Sequence, residues 1–94
     1  MTSKDIWTSL AYKAIEGFCS NSNEFDLDDF GIYRDDSRGH PGVIIDINEH
    51  KTFTDKEFFE LIKTIKKKGF DHINIFNGGE SINILAWMVK TNVK

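Results

Sequence analysis

Residues 52–71, TFTDKEFFELIKTIKKKGFD, decide how the rest of the chain can be arranged, because both ends of a helix are written into them. Thr54 is a good N-cap and Glu57 follows it, so hydroxyl and carboxylate can each satisfy a backbone N–H that the first turn leaves unpaired. Phe53 and Phe58 take the two places of a hydrophobic staple. Gly69 suits the left-handed position that ends a helix, with Ile65 and Phe70 spaced for the apolar contact of a Schellman ending. Phe58, Leu61, Ile62 and Ile65 fall on one stripe, and Glu60, Lys63, Thr64 and Lys67 fall opposite. Such a helix must lie on an apolar surface supplied by the rest of the chain. If Phe58 is on the buried side, truncating it to alanine should cost about 3 to 5 kcal/mol through the cavity left behind.

On the C-terminal side, His72 to Phe76 alternates as a half-exposed strand does, and Asn77-Gly78-Gly79-Glu80 is a hairpin signal. Ser81 to Val89 predicts a second strand, with Ile82, Ile84, Ala86 and Met88 on one face and Leu85, Trp87 and Val89 on the other. On the N-terminal side, Val43 to Asn48 (VIIDIN) is apolar on both faces except at Asp46, which argues for a central strand. Asp35 to Gly42 is dense in turn residues and predicts the loop of a hairpin whose first strand runs from Phe30 to Arg34. Alternation between Glu24 and Tyr33 survives only if a bulge or turn interrupts it around Asp28-Asp29. Thr2 to Phe18 predicts a first helix, capped by Thr2 with Asp5, its apolar face carried by Ile6, Leu10, Ala14 and Phe18 and flanked by Trp7, Ala11 and Ile15. Ser20 to Asn23 is a short polar connector between that helix and the Glu24 to Tyr33 segment.

The expected fold is α+β: a two-layer α/β sandwich of order αββαββ, with a four-stranded antiparallel sheet and two helices on one face. The last strand and Val43 to Asn48 take the middle. The order is a circular permutation of the ferredoxin-like split βαβ arrangement, a statement about topology only. Both central strands are apolar on both sides, so the second face of the sheet needs a cover. A chain of 94 residues is expected to form one domain. The single cysteine, Cys19, excludes an internal disulfide and fits a reducing compartment. Neither a secretory leader nor an apolar run of spanning length is apparent, so the expected setting is the cytoplasm and no membrane partner is expected.

Nucleotide-binding fingerprints are absent, and His40, His50 and His72 lack the spacing of a zinc ligand set, so no cofactor, metal site or catalytic residue is assigned. A metal-dependent hydrolase centred on Asp46, with Asp35, Asp36 and His40 across the hairpin, is one alternative. Charge is the stronger signal. Residues 1–50 hold four Lys or Arg against ten Asp or Glu, net −6, while residues 51–94 hold eight against five, net +3. Glu24, Asp26, Asp28, Asp29, Asp35 and Asp36 are gathered in one short run with Phe25, Phe30 and Tyr33 among them. Such a run repels phosphate backbones and attracts a basic protein surface, with the aromatics as anchors. Lys63 and Lys66 to Lys68 close a helix, where cations meet the negative end of its dipole, so direct nucleic-acid binding is not expected.

The candidate partner-binding residues are therefore Glu24, Asp26, Asp28, Asp29, Phe30, Tyr33, Asp35 and Asp36. In size and acidity the chain resembles bacterial toxin-neutralising immunity proteins and phage-encoded inhibitors, a likeness of composition. It implies a non-enzymatic protein that blocks a basic partner such as a nuclease or toxin. The other alternative is a self-associating regulatory domain, a homodimer made through the open sheet face, by Leu85, Trp87 and Val89 or by their opposite-face neighbours.

Overall fold

A computed structural model describes residues 6–35, 42–48, 51–77 and 82–88. Its elements are helix α1 (Ile6–Ser20), strands β1 (Phe30–Asp35) and β2 (Gly42–Ile47), helix α2 (Asp55–Lys67), and strands β3 (His72–Asn77) and β4 (Ile82–Trp87). The sheet is antiparallel throughout, in the order β1-β2-β4-β3, so β2 and β4 are central as the two-sided apolar pattern requires. This is the expected α+β order.

Helix α2 carries both expected ends. Thr54 Oγ1 accepts from the Glu57 N–H at 3.1 Å, and Glu57 Oε1 accepts from the Thr54 N–H at 2.9 Å. Phe53 and Phe58 meet edge to face, with ring centroids 5.5 Å apart. Gly69 has φ +108°, and its N–H donates to the Lys66 carbonyl. A side chain there would be strained by the backbone, and its Cβ would also press on Met88 Cε at 3.3 Å.

Helix α1 departs from its expected outline. It continues past Phe18 to Ser20, because the Ser20 hydroxyl and the Asn21 side-chain amide both donate to the Gly17 carbonyl and close the last turn. Its buried stripe is Ala11, Ala14, Ile15 and Phe18, whereas Ile6 is exposed. A spacing of four residues drifts about 40° per step from the helical period, which carries Ile6 off the stripe that Phe18 occupies. The proposed Thr2 cap, the interiors of both hairpin loops and Val89 lie outside the described residues.

Leu27–Asp29 forms a single 3-10 turn that ends the irregular stretch before β1. Asp26 caps it, accepting from the Asp28 N–H, and the Asp29 carboxylate in turn accepts from the Asp26 N–H. The interrupted alternation around Asp28-Asp29 is this turn.

Alternate residues of the central strands, Val43, Ile45, Ile47, Ile84 and Ala86, are buried in one core with Leu61 and Ile65 of α2 and the stripe of α1. Helix α1 packs against α2, β1 and β2. At the α1–β1 end the core is aromatic. Phe18, Phe25, Phe30, Phe53 and Phe58 form one chain of ring contacts, the closest being Phe25 stacked on Phe53 at 4.5 Å. Phe58 is only half-buried, since it closes the staple at the margin of this cluster, while Phe70 is fully buried. The large penalty expected for Phe58 therefore belongs to Phe70. Chemical denaturation should show Phe70→Ala losing about 3 to 5 kcal/mol and Phe58→Ala about 1 to 2 kcal/mol; equal losses would contradict this division of the core.

Candidate partner-binding surface

Directly paired residues of an antiparallel sheet point to the same side, so the registers define the face turned away from the core. Its rows are Asp35, Gly42, Trp87 and His72; then Tyr33, Ile44, Leu85 and Asn74; then Gly31, Asp46, Asn83 and Phe76. None of these twelve residues belongs to the core cluster. Tyr33 is 57% exposed and Phe76 46% exposed, while Leu85 is 5% exposed. His72 lies against Trp87, their rings 5.5 Å apart, and its Nδ1–H donates to Asp71 Oδ1 at 3.2 Å. The face thus combines exposed aromatic surface with two carboxylates, Asp35 and Asp46, and none of the twelve is Lys or Arg.

Tyr33 owes its position to a glycine. A Cβ built on Gly31 would lie 2.9 Å from Tyr33 Oη and 3.1 to 3.2 Å from its ring carbons, so the ring rests along β1 in the space a side chain at 31 would fill. Gly31 pairs with Asp46 on β2. Asp46 Oδ1 is screened from solvent and has no hydrogen-bond partner.

Seven of the eight residues singled out in the sequence fall into three groups. Glu24, Asp26 and Asp28 are exposed around the 3-10 turn that leads into β1. Tyr33 and Asp35 stand on the open face, with Asp35 separated from Asp29 by the length of β1, roughly 20 Å at about 3.3 Å per residue. Phe30 and Asp29 are turned inward. Phe30 is 9% exposed within the aromatic cluster. Asp29 forms an ion pair with Lys51 at 3.4 Å and accepts from Asn48 Nδ2 at 3.4 Å. Lys51 Nζ also donates to the Glu24 carbonyl and lies over the Phe25 ring, 5.3 Å from its centroid. Asp36 lies outside the described residues.

Burial alone would raise the Asp29 carboxyl, but the Asp26 backbone N–H, the Lys51 ammonium and the Asn48 amide outweigh it and hold the group below its ordinary value. Burial, aided by the charges of Asp26 and Asp29, pushes the Cys19 thiol up, which leaves little thiolate for nucleophilic chemistry at neutral pH. Among the described residues no group of three or more His, Cys, Asp or Glu side chains could hold a metal ion. Asp35 and Asp46 sit four ladder positions apart, about 13 Å, too far to share one cation. His40 lies outside the described residues. No helix among them is long and apolar enough to cross a membrane.

A groove of about 470 Å³ runs between the end of α1 and α2, over Phe18. Its acidic lining is partly engaged already: Glu57 closes the α2 capping box, Glu60 lies 4.0 Å from Lys63, and Lys56 lines the same groove. The twelve residues of the open sheet face include no such cation. Ile44, Asn74, His72 and Phe76 were not singled out as contact residues from the sequence. The signal that could have found them is the polar-aromatic alternation of His72 to Phe76, readable once β3 is known to be an edge.

Comparison with family models, with curated proteins and with solved structures finds no match for the chain.

The depressed Asp29 value makes a signed prediction. A carboxylate whose folded pKa is lowered contributes stability that is complete above the ordinary aspartate value, about 3.9, and is lost as pH falls through the folded value. Asp29→Asn should therefore melt below the wild type at pH 7, and the two curves should converge as the buffer is taken below pH 4. A gap that stays constant with pH would mean that Asp29 acts through its hydrogen bonds and not its charge.

Proposed function

We propose that this chain is a small, non-enzymatic binding protein that docks a basic protein partner, such as a nuclease or a toxin, and blocks it. The contact surface is the open face of the sheet together with the carboxylates at the two ends of β1. The observation that supports this most directly is the chemistry of that face: exposed Tyr33 and Phe76 around Trp87 and Leu85, with Asp35 and Asp46 and no Lys or Arg among its twelve residues. Aromatic area supplies burial on contact, and net negative charge steers and selects a positive surface.

Size separates this reading from self-association. Four strands about 4.8 Å apart and six residues long give a face of roughly 19 by 20 Å, near 400 Å², about half of what each partner contributes to a standard stable interface. A second copy would bring the same carboxylates against these. A basic partner can instead extend beyond the sheet onto Glu24, Asp26 and Asp28 at the β1 entrance, adding area and favourable charge together. The single free Cys19 fits a reducing setting and supports an encounter in the cytoplasm.

The reading is tested by affinity capture from the source cell, with wild-type protein and a Tyr33→Ser, Phe76→Ser double variant as baits. Each recovered protein is then purified and titrated at rising salt. The expected outcome is a partner basic at its binding surface, lost with the double variant and bound more weakly as salt increases. Equal recovery by both baits, salt-indifferent binding, a concentration-dependent homodimer or no partner at all would overturn it.

A further inference from the structure

We propose that Asp46, beside the Tyr33 ring, is a receptor for an arginine side chain of the partner. This rests on the docking reading above and names the group that the open face recognises.

The first observation is an unmet requirement. Asp46 Oδ1 is screened from water and accepts no hydrogen bond. A carboxylate oxygen in that position carries a desolvation cost without the bond that would offset it. Its strand neighbours on the same face do not neutralise it. Gly31 has no side chain, Ile44 is apolar, and Asn83 is uncharged. Asp46 Oδ1 is therefore an acceptor left open in the free protein, which an arriving donor would fill.

The second observation is the shape of the surface next to it. The Tyr33 ring lies along β1 over Gly31, whose register partner is Asp46, so a flat aromatic surface borders the carboxylate. Tyr33 is 57% exposed, leaving one side of the ring open to a partner. A planar cation stacked on that ring can direct its N–H groups at Asp46. Guanidinium fits both demands, because it stacks on aromatic faces and forms paired bonds to a carboxylate. A lysine ammonium is a compact, strongly hydrated charge and satisfies only the second. Because Oδ1 is covered in the free protein, an arriving guanidinium must displace the side chains that screen it, while the open side of the Tyr33 ring stays available for stacking. Gly31 keeps the resting place of that ring vacant.

The test is an NMR titration of ¹⁵N-labelled protein with N-acetyl-arginine-methylamide, compared with the lysine analogue. Saturable shifts should gather on the amides of residues 31–33 and 44–47, with the lysine compound weaker by about tenfold. Asp46→Asn should abolish the arginine shifts while melting no lower than the wild type, since it removes an unpaired charge. Asp46→Ser serves as a second variant with the same expectation. Non-saturable shifts, shifts centred on Glu24, Asp26 and Asp28, an unchanged arginine response in Asp46→Asn, or clear destabilisation of both variants would each overturn the assignment. The two proposals fail separately. If Asp46→Asn still captures the basic partner with wild-type affinity, the arginine receptor is wrong and the docking reading stands. If arginine saturates the site but no basic partner is captured, the reverse holds.

Discussion

Five phenylalanine rings joined by tilted, edge-to-face and stacked contacts hold the structure together where its pieces are least regular. Phe18 comes from α1, Phe25 from the connector, Phe30 from the start of β1, and Phe53 and Phe58 from the entrance to α2. Rings of this size bury large apolar areas, and tilted or offset contacts add to that burial. Lys51 closes the cluster from outside, with its ammonium over Phe25 and bound to Asp29 and to the Glu24 carbonyl. One cation thereby ties the strand entrance to the helix entrance. The geometry of the acidic connector is set by this anchoring.

The connector has a different character in three dimensions from its appearance in one. Alternating Phe and Asp residues suggest aromatic anchors set in an acidic surface. Instead Phe25 and Phe30 turn into the cluster, and the intervening carboxylates form its wet border. Asp26 and Asp29 spend their oxygens on the turn itself, and Asp29 is further engaged by Lys51 and Asn48. The outward-facing set is narrower: Glu24, Asp26 and Asp28 at one end of β1, and Asp35 and Asp46 on the sheet.

The sheet separates two tasks. Its inner face is uniformly aliphatic along β2 and β4 and is closed by residues of both helices. Its outer face mixes aromatic rings, amides and two carboxylates around a buried central Leu85. Stability is concentrated on one side, which frees the other to carry residues, such as Asp46, that a stable core would not include.

Local pattern alone determined the elements, their order and the placement of β2 and β4. Caps, staples, a terminating glycine and periods of two or 3.6 residues are all written in neighbours along the chain, and two-sided apolarity marks a central strand without reference to its partners. Tertiary structure alone decided which way Phe25 and Phe30 point, which acid Lys51 neutralises, and that Asp46 is left without a donor. Those outcomes depend on meetings between distant residues: Lys51 reaches the Glu24 carbonyl across 27 positions, and the surroundings of Asp46 come from β1 and β4 on either side. A charge pattern records how many carboxylates are present. Only packing determines which of them face outward.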